Sequence, residues 1–135
     1  MKTYCLIIFL IFPLISKNLV ISHPHFNQSV SIEDKLSDKL SKMAEFKSLT
    51  DQLSEKDEKA GIRPTIIIRS KPTKAYPYYE VSLGYDHPDR YQNVYTLRIR
   101  SNYVNNINLL PHLEVYDYDR FVSLLSWRKR NRFIK

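Results

Sequence analysis

Apolar side chains recur along residues 32–53 at steps of three or four positions, the spacing of one face of an α-helix. The stripe consists of Ile32, Leu36, Leu40, Met43, Phe46, Leu49 and Leu53. Ser31 is a suitable N-cap, and Glu33 and Asp34 interact favourably with the dipole of the first turn. Gly61 follows as a stop signal. The pattern therefore predicts one long N-terminal helix that begins after Ser31 and ends before Gly61.

The apolar period then shortens to the alternation that is typical of β-strands. Residues 65–69 are rich in β-branched side chains, and this predicts a strand. Residues 78–85 and 93–101 alternate between apolar and polar positions on either side of a turn at residues 86–90. We expect these two strands to pair as an antiparallel hairpin.

The remaining third of the chain is predicted from weaker signals. Residues 102–111 are rich in asparagine and are expected to form a loop or wide turn. Apolar positions within residues 113–121 indicate further strand, and Ser123 is a candidate cap for a short helix over residues 124–128. The sequence therefore predicts an α+β fold, with the long N-terminal helix packed on a three- to four-stranded antiparallel meander and a short C-terminal helix. Residues 31–135 form its single domain.

The first 22 residues have the composition of a secretory signal, with one lysine ahead of a mainly aliphatic run. Small side chains favour cleavage after Ser16 or after Ser22, and an uncleaved N-terminal anchor is the alternative. Residues 23–30 then form an extended lead-in to the domain. The expected location is secreted or periplasmic, or membrane-anchored if the segment is retained. Cleavage also removes Cys5, the only cysteine, so the mature chain forms no disulfide.

The chain is basic, with 21 Lys and Arg residues against 14 Asp and Glu residues. Its net charge of +7 falls to +5 when residues 1–22 and their two lysines are removed. A basic surface favours anionic partners, and export makes nucleic acid an unexpected one. The C-terminal residues combine arginines with Trp127, Phe133 and Ile134. This predicts either a contact with an anionic membrane surface or an ordinary solvated chain end.

From Tyr78 onward the chain resembles a group of small secreted bacterial proteins of uncharacterised function. The resemblance is carried by YEVSLGYD at residues 79–86, DRY at 89–91, YTLRI at 95–99, LEVYD at 113–117 and SLLSWRK at 123–129. The order of a helix followed by a meander is also similar to PepSY-like and cystatin-like domains. The resemblance implies an envelope or extracellular module that binds or inhibits rather than catalyses.

Nine tyrosines lie between positions 76 and 118. One interpretation is a sheet of half-buried tyrosines, because the ring packs well on a strand while the hydroxyl stays in water. The alternation also places Tyr78, Arg98 and Arg100 on the outer face of the predicted hairpin, and Tyr and Arg are enriched at binding hot spots. The sequence therefore predicts a small binding module that uses these three residues. Its expected partner is an unknown protein, a peptide or an anionic glycan.

The sequence contains no familiar catalytic, cofactor-binding or metal-binding motif, so no enzyme activity, cofactor or metal ion is predicted. His23 would bind copper only as a mature N-terminus with a second histidine held nearby. Turn chemistry is favoured over a calcium loop for the four aspartates Asp86, Asp89, Asp117 and Asp119. Two alternative functions stay open, a small envelope enzyme that uses His87 with Asp86 and Asp89, and a membrane-anchored structural protein.

Overall fold

The computed structural model describes residues 30–131, and this part of the chain has the predicted α+β class. The helices are α1 (Ile32–Ser41), α2 (Ala44–Asp51), α3 (Glu55–Lys59) and α4 (Leu124–Asn131). The strands are β1 (Arg63–Ser70), β2 (Tyr78–Asp86), β3 (Tyr91–Arg100), β4 (Leu113–Asp117) and β5 (Arg120–Ser123). The predicted signal segment, the lead-in before residue 30 and residues 132–135 lie outside the described residues.

The strands form one antiparallel meander in the order β1-β2-β3-β4-β5. The sheet therefore has five strands where three or four were predicted, because the residues on both sides of the turn at Tyr118 form strands. Tyr118 has a φ of 59°, a left-handed conformation that lets β4 reverse directly into β5. Bulges interrupt the pairing of β1 with β2 after Ile68 and the pairing of β2 with β3 after Leu83.

Gly84 allows β3 to approach β2 closely at the second bulge. A Cβ atom added there would lie 2.0 Å from the carbonyl oxygen of Gln92 and 2.9 Å from the Tyr91 hydroxyl. No side chain fits this position unless the strands separate. Gly61, with a φ of 81°, follows α3 as the helix-ending residue that the sequence predicted.

The prediction of one long N-terminal helix is wrong, because the segment forms the three short helices α1, α2 and α3. Ser31 caps α1 as expected, and its hydroxyl accepts a hydrogen bond from the Asp34 backbone N–H at 3.0 Å. The chain leaves helical geometry at Met43, which has φ −80° and ψ 155°. Ser54 then begins α3 through a second capping box with Asp57.

Helical geometry explains why the segment must break between α1 and α2. Leu40 and Leu49 are both fully buried, and they lie nine residues apart in the sequence. At 3.6 residues per turn, positions nine apart point in directions about 180° different on a straight helix. Both side chains can face the same sheet only if the helix axis changes direction between them. The break at Met43 provides that change.

The hydrophobic core lies between the helices and one face of the sheet. Its fully buried helical residues are Leu36 and Leu40 from α1, Leu49 from α2 and Leu124 from α4. They pack against inner-face residues of the central strands, which include Val81, Leu83, Leu97 and Ile99. The inner and outer faces that the sequence assigned to β2 and β3 are therefore confirmed.

The asparagine-rich connection between β3 and β4 is held against α1. Two 3₁₀ turns, Ser101–Tyr103 and Leu110–His112, lie at its ends. Lys39 Nζ donates hydrogen bonds to the carbonyl oxygens of Val104 at 2.9 Å and Asn106 at 2.7 Å. The loop also buries an apolar side chain of its own at Val104. These contacts fix the start of β4 relative to the helices.

A buried ion pair joins α2 to α4. Glu45 is 0% exposed, and Arg128 is 12% exposed. The guanidinium donates two parallel hydrogen bonds to the carboxylate, from Nε to Oε1 and from Nη2 to Oε2, each 2.6 Å long. This bidentate geometry is the strong form of an Arg–carboxylate contact. It fixes the C-terminal helix on the helical layer.

We expect Arg128→Met to lower the free energy of unfolding by about 3–5 kcal/mol, because it leaves the Glu45 charge buried without a partner. The double variant Glu45→Met/Arg128→Met should recover most of that loss, since it removes both charges. Urea unfolding followed by Trp127 fluorescence measures the difference.

The matched control is Lys42→Met, which breaks the exposed pair between Lys42 and Asp38 at the end of α1. This change should cost less than about 1 kcal/mol. A double variant as unstable as Arg128→Met alone would show that an unpaired buried charge does not cause the loss.

Candidate binding face of the sheet

The outer face of the sheet brings the three predicted binding residues together. The β2–β3 register places Tyr78 opposite Arg100 and Glu80 opposite Arg98. The β3–β4 register places Arg98 opposite Glu114. Acidic and basic side chains therefore alternate across three strands, and this row lies on the face opposite the core.

Arg98 is the most constrained cation of this face. Its Nε donates a hydrogen bond to Glu114 Oε2, and the two side chains are 22% and 35% exposed. The guanidinium carbon lies 4.4 Å from the centre of the Tyr78 ring and 4.0 Å from that of the Phe121 ring. Burial acts to lower the pKa of Arg98, but hydrogen bonding to Glu114 and Tyr76 outweighs it, so the net pKa is raised. Arg98 therefore stays charged, and Glu114 neutralises it.

Arg100 is exposed, and a single hydrogen bond orients its guanidinium. Nε donates to the Tyr78 hydroxyl at 2.9 Å, and the guanidinium carbon lies 5.3 Å from the centre of the same ring. The hydrogen bond with Tyr78 is the main cause of a raised pKa at Arg100. Among the described residues no carboxylate forms a salt bridge with Arg100, although the Glu114 charge also acts to raise its pKa.

Further aromatic side chains extend this surface. The rings of Tyr76 and Tyr78 lie 5.2 Å apart between centres, and the Tyr76 hydroxyl donates to Glu80 Oε2 at 3.2 Å. Phe121 also makes an edge contact with Tyr116, at 5.3 Å between ring centres. We call the surface formed by Tyr76, Tyr78, Arg98, Arg100 and Phe121 the aromatic–arginine face.

A cleft of about 210 Å³ adjoins this face where β3 ends and β4 begins. On one side the rings of Tyr103 and His112 stack in parallel, with centres 4.0 Å apart and an angle of 6° between planes. We call it the end cleft and define it by its polar and aromatic lining residues Tyr78, Arg100, Tyr103, His112, Glu114 and Ser123. The cleft is lined by the guanidinium-bearing Arg100, the carboxylate-bearing Glu114, the hydroxyl-bearing Ser123 and the two stacked rings.

The sequence predicted some residues of this candidate face and not others. Tyr78, Arg98 and Arg100 were predicted together, and the structure places them in contact. Glu114 was not predicted as part of the site, although the alternation in residues 113–117 assigns it to the outer face. The stacked rings of Tyr103 and His112 come from irregular segments, and no sequence period indicates their contact.

The residues of the alternative enzyme site lie on the turn between β2 and β3. The turn is closed by a hydrogen bond from the His87 backbone N–H to the Arg90 carbonyl oxygen at 2.8 Å. The side chains of Asp86 and Asp89 are exposed. His87 lines a different cleft, where its Nε2 lies 3.2 Å from Gln92 Oε1. The turn therefore does not gather the three side chains into one pocket.

Metal coordination finds no support in residues 30–131, where no group of three His, Cys, Asp or Glu side chains is arranged to hold an ion. Of the four turn aspartates, Asp117 forms an ion pair with Arg130. The copper hypothesis concerns His23, which lies outside the described residues.

Two arginines of the basic C-terminal segment form ion pairs. Arg128 binds Glu45, and Arg130 binds Asp117. Trp127 packs against the core with its ring edge-on to Tyr95, 5.8 Å away between centres. The predicted contact with a membrane surface therefore depends mainly on Lys129 and on residues 132–135, which are outside the described part.

A larger cleft lies elsewhere, between α1, the start of α2 and the loop before β4. It has a volume of about 380 Å³ and contains three cationic side chains, from Lys39, Lys42 and Arg128. Each of these cations already has a partner, namely backbone carbonyls, Asp38 and Glu45 respectively. Lys42 and Arg128 are therefore compensated by carboxylates, whereas Lys39 is hydrogen-bonded only to backbone carbonyl oxygens.

Comparison with known proteins identifies no relative of this chain. No family model, no curated protein and no solved structure matches it. The similarity to PepSY-like and cystatin-like domains stays a prediction from the sequence. The assignment of a binding face therefore depends on the geometry of the face itself.

We expect the two arginines of the face to differ in their effect on stability. Arg98→Gln should lower the free energy of unfolding by about 1–2 kcal/mol, because it removes a part-buried ion pair and two ring contacts. Arg100→Gln should leave the urea midpoint close to that of the wild type, since the guanidinium is exposed. Urea titrations of both variants measure this, and equal losses would contradict the structural distinction between them.

Proposed function

We propose that the protein is a small secreted or periplasmic binding module that uses the aromatic–arginine face to bind an anionic or peptide partner. The observation that carries this proposal is the exposed guanidinium of Arg100, which has a fixed orientation beside the Tyr78 ring and no acidic partner among residues 30–131. Such a group can form new charge-assisted hydrogen bonds without first breaking an ion pair.

The order already present in the face supports the proposal. Glu114 and Phe121 hold Arg98, Arg98 stacks on Tyr78, and Tyr78 orients Arg100. Side chains that are ordered before binding lose less conformational entropy when a partner arrives. Tyrosine and arginine are also the residue types that most often contribute binding energy at interfaces.

The proposed location follows from the sequence. Residues 1–22 have the features of a secretory signal, and the net charge suits anionic components of a cell envelope. A peptide or an anionic glycan is therefore the proposed kind of partner, and nucleic acid is not.

A small envelope enzyme is the second candidate. Its residues Asp86, His87 and Asp89 stand on a turn whose two aspartates are exposed, so nothing in that arrangement favours catalysis over turn chemistry. An anchored structural protein is the third candidate. Within residues 30–131 none of the helices has the length and apolar character of a membrane span.

Two probes are immobilised, heparin and a random peptide library, and binding of the wild type to each is measured. We expect the double variant Tyr78→Ala/Arg100→Gln to bind more weakly than the wild type to the probe that the wild type binds. The matched control is Arg63→Gln, which removes one exposed charge from β1, at the far edge of the sheet. The loss should be at least about tenfold in the double variant, as expected for a hot spot. An equal loss in the control would indicate non-specific charge attraction and contradict the proposed face.

Compartment is tested by the intact mass and N-terminal sequence of the protein recovered from its native host. We expect a mature chain that begins at Lys17 or at His23, recovered from the envelope or the medium. Recovery of the chain with Met1 and the whole apolar segment in the membrane fraction would support the anchored alternative. Recovery of the same intact chain from the cytosol would contradict export.

A further inference from the structure

The charge balance of the end cleft points to the chemistry of its ligand. Glu114 accepts a hydrogen bond from Arg98, so these two charges compensate one another. Arg100 also lines the cleft, and among residues 30–131 it has no acidic partner. Arg100 therefore carries a positive charge that forms no ion pair within residues 30–131, although Glu114 on the same cleft lies close enough to raise its pKa.

The orientation of that guanidinium selects among anionic groups. Because Nε is engaged with the Tyr78 hydroxyl at 2.9 Å, the two Nη groups remain to bind a ligand. Arginine presents such N–H groups as a planar fork, which matches the two oxygens of a carboxylate through parallel hydrogen bonds. A lysine at this position could not offer the same geometry.

The size and walls of the cleft limit what enters it. A volume of about 210 Å³ accommodates one side chain or one chain terminus. The stacked rings of Tyr103 and His112 form an aromatic wall, and Ser123 also lines the cleft. An aliphatic stem that ends in a carboxylate would contact the rings with its methylene groups and the fork with its oxygens.

The position of Ser123 favours a peptide as the bearer of this carboxylate. Ser123 is the last residue of β5, and β5 is the final strand in the order of the sheet. A terminal strand has backbone groups on its outer side to which an extended peptide can add as a further strand. Two strands, β4 and β5, would separate such a peptide from Arg100 on β3, so a long acidic side chain or a chain end turned across Ser123 would have to reach the cleft.

We propose that the end cleft binds a carboxylate of an extended peptide, either an Asp or Glu side chain or the free C-terminus. Arg100 provides the bidentate contact, and β5 provides the backbone pairing. This inference rests on the proposed binding function and names the partner class and the group recognised.

The experiment uses two synthetic libraries of random heptapeptides, one with free and one with amidated C-termini, incubated with the full mature chain. Peptides enriched by the wild type are remade with the carboxylate replaced by its amide, as Glu→Gln, Asp→Asn or C-terminal amidation. Fluorescence anisotropy then gives the affinity of each pair for the wild type, Arg100→Gln, Arg100→Lys and the control Arg63→Gln. Comparison of the two libraries distinguishes a side-chain carboxylate from a terminal one.

We expect the amide replacement to weaken binding to the wild type by at least about tenfold, as for a lost hydrogen bond to a charged group. Arg100→Gln should bind both forms alike, and Arg100→Lys should recover only part of the preference because it keeps the charge without the fork. Arg63→Gln should behave as the wild type. A carboxylate preference that persists in Arg100→Gln would overturn the assignment of Arg100.

Other outcomes separate this inference from the proposed function. Suppose that the wild type enriches neutral peptides, and that this enrichment is lost in Tyr78→Ala but retained in Arg100→Gln. This result would support the aromatic–arginine face as a binding site and overturn the carboxylate cleft. Arg100-dependent binding of polygalacturonate, without any enriched peptide, would overturn the peptide class and indicate an acidic glycan. Absence of binding to either library and to heparin and polygalacturonate would overturn both proposals.

Discussion

The geometry of the buried ion pair between Glu45 and Arg128 sets how α4 packs on α2, and α4 is joined directly to the last strand of the sheet. A buried charge is costly unless it is paired with an opposite charge in good geometry. Because Glu45 and Arg128 must meet in such a geometry, the pair restricts the positions of α2 and α4 more tightly than apolar packing alone. Glu45 can reach Arg128 because the chain breaks at Met43, and α4 directly follows β5. The pair therefore also limits where the last strand of the sheet can lie.

The two faces of the sheet have different kinds of order. The inner face is held by apolar burial, which is strong and non-directional. The outer face is held by directional contacts in sequence, from Glu114 to Arg98, from Arg98 to Tyr78 and from Tyr78 to Arg100. The series begins in a compensated pair and ends in an uncompensated cation. This arrangement is the basis of the proposed binding surface.

Local signals were sufficient for the hairpin of β2 and β3 and insufficient for the number of strands and for the N-terminal helices. Alternation in residues 78–85 and 93–101 identified β2, β3 and their faces, because side chains on a strand point to opposite sides at every step. The average period of the stripe at residues 32–53 indicated a continuous helix, yet Leu40 and Leu49 lie about half a turn apart on such a helix. The capping box at Ser54 also signalled a new helix start. The break at Met43 has no side-chain cap, so only packing against the sheet specifies it.

The sequence by itself determined the α+β class, the hairpin and the side of the sheet on which Tyr78, Arg98 and Arg100 stand, because these depend on periods of two and on adjacent turns. The tertiary structure decided which cation is compensated. Arg98 and Arg100 are two residues apart and equivalent in the pattern, and they differ because Glu114 on β4 forms its hydrogen bond and ion pair with Arg98. It also formed the end cleft from Tyr103, His112 and Ser123. Contacts among residues distant in the chain depend on strand order and loop path, which no local period records.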